Sequence, residues 1–188
     1  MIRSCVTISL VEEARGGPFV FWDDLVAGCK AAQDIGFDAV EIFAPSADVL
    51  KQLPLAQVLA DHNLRLAAVG TGGGWVLHRL SLTSPSFEER KAAEDFIRHM
   101  IDAGAIHGAM AIIGSMQGSF HPPLNRQSGI GYLGESLNRL GEHAATTGVC
   151  LLYEPLNRYE TNLVHRLEDA QQLLIDAGAE NVRLLADL

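Results

Sequence analysis

The sequence predicts a parallel α/β fold, either an open doubly wound sheet or part of a (β/α)8 barrel, and three observations carry that reading. Short apolar runs rich in Val, Ile, Leu and Ala recur along the chain, nearly continuous rather than alternating with polar residues. Strands covered by helices read this way, as in parallel sheets. Segments with helical spacing separate the runs, and Gly or Pro marks most of the changeovers. A strand, a helix and another strand in succession cross over right-handed and build a parallel sheet.

Ser4–Leu10 is the first run. A helix over Trp22–Ile35 follows, with Trp22, Leu25, Val26 and Cys29 on one face and Gly36 as its left-handed stop. Ala39–Phe43 is the second strand, and Leu55–Asp61 a short helix with Pro54 suited to its first turn and Asn63 to its end. Leu64–Gly70 is the third strand. Ser86 and Glu89 form a capping box ahead of Phe96, Ile97, Met100 and Ile101, which repeat at helical spacing up to Gly104. Met110–Gly114 is the fourth strand, and Leu133, Leu137 and Leu140 mark a helix stopped by Gly148. Val149–Tyr153 is the fifth strand. Leu167, Ala170, Leu174 and Ala177 mark the last helix, stopped by Gly178, and Val182–Leu188 is the sixth strand. No composition shift marks a domain break, so residues 1–188 are expected to form a single domain. A complete barrel takes about 250 residues. The chain reaches Ala186-Asp187-Leu188 at a strand's carboxyl end with no closing helix. On the barrel alternative the chain is a (β/α)8 domain truncated at its C-terminal end, covering about the first six strands, with about two βα units missing; the open sheet remains the other reading.

The 188 residues are 48% hydrophobic, enough for one substantial core and too apolar for disorder. Lys and Arg number 14 against 23 Asp and Glu, and the net charge of -9 repels phosphate backbones, so no nucleic-acid partner is expected. No apolar run approaches the ~18 residues of a membrane helix. Cys5, Cys29 and Cys150 stand far apart with no C-x-x-C pair and are expected as buried, reduced thiols. Met1-Ile2-Arg3-Ser4 lacks the layout of a signal peptide, which leads to the expectation of a cytoplasmic protein without a membrane partner.

In either architecture the ligand site lies beyond the carboxyl ends of the strands. There the sequence places Tyr153-Glu154-Pro155-Leu156-Asn157-Arg158-Tyr159-Glu160-Thr161, directly after the fifth strand. The strand delivers Glu154 to the rim, and Pro155 biases it to an extended backbone. Asp187 holds the corresponding place on the sixth strand, embedded in apolar sequence where a carboxylate is costly to bury unless paired or bound to a metal. Adjacent parallel strands lie ~4.8 Å apart. Glu154 and Asp187 on neighbouring strands are thus within reach of one divalent ion, and hard oxygen ligands suit magnesium or manganese. The plainer alternatives are a solvated loop with an Arg–Glu surface pair and a strand that simply ends on a wet Asp187. Gly70-Thr71-Gly72-Gly73-Gly74-Trp75 fails as a dinucleotide fingerprint, because Trp75 stands where the third glycine belongs and no helix is expected to open there. It reads instead as a flexible rim loop carrying Trp75 and His78, with an aromatic face suited to stacking on a sugar. Gly114-Ser115-Met116-Gln117-Gly118 leaves room for a ligand after the fourth strand. His62, His99, His107, His143 and His165 are expected on the surface.

On the E-P-L-N-R-Y-E-T loop, supported by Gly36-Phe37-Asp38-Ala39-Val40-Glu41-Ile42 and Ile112-Ile113-Gly114-Ser115-Met116-Gln117-Gly118, the sequence resembles the sugar isomerase/epimerase group of xylose-isomerase-like TIM barrels. Within that group it most resembles the ketose (D-tagatose, D-psicose and L-ribulose) 3-epimerases. The resemblance implies one divalent metal, usually manganese, with magnesium, cobalt and zinc as the other candidates, held by Glu, Asp, His and Glu from strands five to eight. Glu154 matches the first ligand and Asp187 the second, while Glu160 matches a substrate-binding glutamate. The remaining His and Glu ligands have no counterpart in this chain. The implied reaction moves a proton beside the carbonyl of a ketose through a cis-enediolate. One glutamate, matched by Glu154, removes the C3 proton and another returns it to the opposite face. Proton movement between C1 and C2 would instead make an aldose–ketose isomerase. Trp75, His78 and Arg158 are further candidate sugar contacts, and a homo-oligomer, dimer or tetramer, is expected. The alternatives are an inosose dehydratase, a hydroxypyruvate isomerase, an endonuclease IV-like enzyme, a non-catalytic sugar-binding module, or a flavodoxin-like open sheet.

Overall fold

The apolar runs become the strands β1 (Cys5–Ser9), β3 (Ala39–Phe43), β4 (Arg65–Gly70), β5 (Met110–Ile113), β6 (Leu151–Tyr153) and β7 (Val182–Leu184), joined by a two-residue β2 (Phe21–Trp22). The computed structural model describes residues 3–186. Met1, Ile2, Asp187 and Leu188 lie outside the described residues, and with them the expected second metal ligand. Every strand pair is parallel. The order β2-β1-β3-β4-β5-β6-β7 keeps the main strands in chain sequence. A doubly wound sheet reverses its order at a switch point. Apart from the two-residue β2 beside β1, the strands run in one direction only, as in a barrel, and the flavodoxin-like alternative falls.

The two-residue period of the strands sorts their side chains. Ile8, Val40, Ile42, Val69, Ile113, Leu151 and Tyr153 are buried in the core beneath the helices. Each fully buried aliphatic chain contributes roughly 1.5–3 kcal/mol. Helices α1 (Leu25–Ile35) and α6 (Arg126–Thr146) approach the sheet closely through glycines. A Cβ at Gly28 would stand 2.9 Å from Ile8, and one at Gly141 2.8 Å from Val182. The opposite parity, including Thr7, Glu41, Gly70, Ile112 and Glu154, lines a cleft.

Local chemistry explains most helix ends. Gly36, Gly148 and Gly178 take positive φ, as expected of stops. The helix expected from Trp22 begins instead at Leu25, because the Asp24 carboxylate accepts from Ala27 N at 3.0 Å and caps it. Trp22 is drawn into β2 by pairing with Ser9, and Val26 is 52% exposed rather than on the packed face. A helix over Ala47–Gln52 (α2), unexpected from the sequence, starts on the Ser46 hydroxyl, which accepts from Val49 N at 3.3 Å. α3 (Leu55–Asp61) has its expected bounds. The glycine run is no flexible loop: Gly70–Gly74 are buried and Gly73–His78 is a short helix, α4. The glycines there make space for a ring, since Cβ atoms at Gly70 and Gly72 would come within 2.8 and 2.6 Å of Phe43.

α5 (Phe87–Ala105) is capped by Ser86, whose hydroxyl accepts from Glu89 N at 3.3 Å. The Glu89 carboxylate does not close the expected capping box; it accepts from the Ser84 hydroxyl. Between α5 and α6, buried Glu94 accepts from Ser136 Oγ at 2.7 Å and from Arg139 Nη2 at 2.6 Å. Burial pushes this carboxyl up, but the Arg139 and Ser136 hydrogen bonds outweigh it and hold the group below its ordinary value. α7 (Leu167–Asp176) completes the layer. Of the three cysteines expected as buried, only Cys29 is so; Cys150 is half-buried and Cys5 is exposed, facing the cleft.

Candidate active site at the carboxyl ends of the strands

The cleft formed by the inner face of the sheet and the loops beyond its carboxyl ends has a volume of about 900 Å3. Three carboxylates line it, those of Glu41, Glu154 and Glu160, and no Lys, Arg or His does among the described residues. Glu154 is the first residue beyond β6. Its N–H donates to Ile113 O at 2.9 Å and its carbonyl accepts from Gln117 Nε2 at 3.1 Å, so neighbouring chain holds both sides of its backbone. The half-buried side chain lies over Gly114, where an added Cβ would stand 2.9 Å from Glu154 Oε2.

Glu41, in the middle of β3, faces the same cleft. Burial, and then the charge of Glu154, push its carboxyl up to about 7, against a hydrogen bond from Thr7 that lowers it. An acid raised in the folded state stabilises the fold most below its unfolded value near 4.5, and that contribution is lost as pH rises through about 7. At ~1.4 kcal/mol per unit the loss is on the order of 3 kcal/mol. In metal-free protein, Glu41→Gln should therefore flatten the decline in urea midpoint between pH 5 and pH 8. A parallel decline in wild type and variant would contradict the coupling.

Of the residues singled out in the sequence, the structure brings Glu154, Glu160 and Trp75 together on the cleft. Glu160 is exposed and accepts from Asn157 Nδ2. Trp75 is half-buried, with the Arg79 guanidinium 5.2 Å from its ring centre. His78 and Arg158 are not among the lining residues. His78, at the end of α4, stands edge-on to Phe96 with ring centres 6.4 Å apart, and Arg158 donates to the Tyr159 hydroxyl at 2.9 Å. Sequence reasoning passed over Glu41, although a Glu between Val40 and Ile42 carries the same signal as Asp187 does on its own strand. It also passed over Tyr159 and the Phe19–Phe43 pair, with ring centres 4.9 Å apart, which add aromatic wall to the cleft.

Among the described residues, no three His, Cys, Asp or Glu side chains are grouped to hold a metal ion. Of the two residues expected as metal ligands, Glu154 lines the cleft and Asp187 lies outside the described residues. The donor chemistry nonetheless fits a hard divalent ion. Glu41 and Glu154 supply hard carboxylate oxygens to one cleft, and the charge of Glu154 raises the proton affinity of Glu41. Among the described residues no helix is long and apolar enough to cross a membrane.

A family model described as the xylose isomerase-like TIM barrel matches residues 29–188. The 3-dehydro-D-guloside 4-epimerase of Escherichia coli (strain K12) is 34% identical over 53 residues, which are 28% of this chain and 20% of that protein. Among solved structures, a 3-keto-D-glucoside 4-epimerase from E. coli matches with a TM-score of 0.73 at 16% identity, over 97% of this chain and 67% of that one. A D-psicose 3-epimerase from Clostridium cellulolyticum H10 matches with a TM-score of 0.72 at 16% identity, over 97% of this chain and 62% of that one. The chain thus spans 62–67% of the length of these solved structures, and at such identities they establish the fold. The one-way parallel winding, the cleft beyond the strand ends and a family match over most of the chain lead to one conclusion: this chain belongs to the xylose isomerase-like TIM barrel family.

Proposed function

We propose that the chain is the sugar- and metal-binding part of a sugar isomerase/epimerase that moves a proton beside the carbonyl of a ketose, with inversion at C3 as its reaction. The observation that carries this reading is the placement of Glu154: half-buried just beyond the carboxyl end of β6, near enough to Glu41 for its charge to act there, and lining one cleft with Glu41 and Glu160. The family match and the epimerase names of the similar proteins support it.

In this reading Glu154 and Asp187 hold a divalent ion, manganese first among the candidates. When bound, such an ion polarises the substrate carbonyl and spreads the negative charge that develops beside it. The Glu154 carboxylate takes the C3 proton or returns it, a role that requires an acid–base group held against the carbon. Tying down both sides of its backbone provides that hold. Glu160 accepts hydrogen bonds from sugar hydroxyls, and the Trp75 face packs on the apolar side of the ring. A cleft with three carboxylates admits an uncharged sugar more readily than a phosphodiester. The same reading takes the protein to be cytoplasmic and homo-oligomeric.

The test is incubation of the full-length protein with a panel of ketoses in deuterated water containing manganese. Deuterium should appear at C3 together with the C3 epimer. Exchange confined to C1 or C2 would make the enzyme an aldose–ketose isomerase, and no exchange with any ketose would overturn the assignment.

A further inference from the structure

The 3-10 turn after β5, Ser115–Gln117, carries a side chain that the reaction outlined above does not use. Gln117 is completely buried, and so is Tyr153, the last residue of β6. Gln117 Nε2 donates to two main-chain carbonyls, Gly114 O at 3.2 Å and Glu154 O at 3.1 Å. Its Oε1 accepts from the Tyr153 hydroxyl at 2.9 Å. Only one orientation of the amide satisfies these partners, because an oxygen facing two carbonyls would be repelled by both. The main chain of Gln117 is fixed as well, its carbonyl accepting from Thr83 Oγ1 at 3.0 Å. One residue on, Gly118 O accepts from Thr161 Oγ1 at 2.7 Å. The turn therefore grips the 154–161 loop at both ends, at Glu154 and next to Glu160.

A buried amide with every partner satisfied is more than a filler, since an apolar side chain would fill the same volume at lower desolvation cost. We infer that Gln117, oriented by the Tyr153 hydroxyl, is a positioning residue that aims the Glu154 carboxylate into the cleft by holding its main-chain carbonyl. The effect on turnover rests on the reading of Glu154 given above; the effect on placement does not. Groups that hold a ligating or reacting side chain from behind typically contribute 10–100-fold to affinity or activity.

The experiment compares Gln117→Met, which keeps the volume and removes the bonds, with Tyr153→Phe, which removes only the orienting hydroxyl and is the milder change for folding. Ser136→Ala, which deletes a buried hydrogen bond to Glu94 on the helical layer, serves as the control for simple destabilisation. Each full-length variant is crystallised without metal and assayed for ketose proton exchange. The expected result is a displaced or multiply placed Glu154 carboxylate in both cleft variants. Their kcat should fall roughly 10–100-fold with little change in KM, while Ser136→Ala matches wild type in both respects. An unmoved Glu154 carboxylate in Tyr153→Phe would overturn the inference, and so would a loss of activity no larger than the control's. If wild type exchanges no ketose proton, the functional reading falls, and the carboxylate's placement in the variants alone decides the positioning role.

Discussion

Glu154→Gln should abolish exchange of the ketose C3 proton, lowering kcat by about 10³-fold, within the range that a positioned acid–base group supplies. The substitution is nearly isosteric. The amide retains the shape that sits over Gly114, and the backbone bonds to Ile113 and Gln117 are unaffected. Basicity and one negative charge are lost. The same charge raises Glu41, so the variant's Glu41 should move back towards its ordinary value, and metal-free protein at pH 8 should be as stable as wild type or more so. Loss of turnover without loss of fold separates a reacting group from a structural one. Exchange within a few-fold of wild type would show that the proton is handled elsewhere.

Gly118→Ala should cost about 3–5 kcal/mol, the largest stability effect expected of a single methyl in this chain. Gly118 has φ 79° and ψ -157°, a region open to glycine and closed to other residues. Space is lacking too: a Cβ would overlap Ser81 Oγ and stand 2.6 Å from Thr83 Oγ1. Both hydroxyls belong to the segment that Gly118 packs against, where Thr83 Oγ1 donates to Gln117 O. Relief would require moving the turn that holds Glu154, so activity should fall together with stability. Gly16 supplies the comparison, having φ 89° with no atom within 4 Å of its hypothetical Cβ. Thermal melting should show a drop of about 10 °C or more for Gly118→Ala. Gly16→Ala should show a much smaller drop, and equal drops would mean that the packing around Gly118 adds nothing.

What the sequence disclosed depended on how local the cause was. Helix stops at Gly36, Gly148 and Gly178 follow from one residue's backbone freedom, and the strands from apolar runs a few residues long. Trp22 was misread because its position is decided by pairing with Ser9, which outweighs its fit to a helical spacing. The glycine run suggested flexibility because its cause, the Phe43 ring, arrives from a different strand. Glu154 was legible from its place after an apolar strand. Glu41 shows in sequence only as an acid inside an apolar strand; its coupling to Glu154, just beyond β6, exists only in the fold. Gln117 looked like one more rim residue among glycines; Tyr153 and Glu154, its partners, are remote in sequence. Trp75 and His78 looked equivalent as loop residues, and the unexpected α4 sent one to the cleft and the other to Phe96.

The most direct measurement is anomalous diffraction from crystals of the full-length protein soaked in manganese. A single strong peak is expected at the mouth of the cleft, within coordination distance of carboxylate oxygens from both Glu154 and Asp187. A peak that touches neither of them, or a cleft that stays empty at saturating manganese, would contradict this expectation.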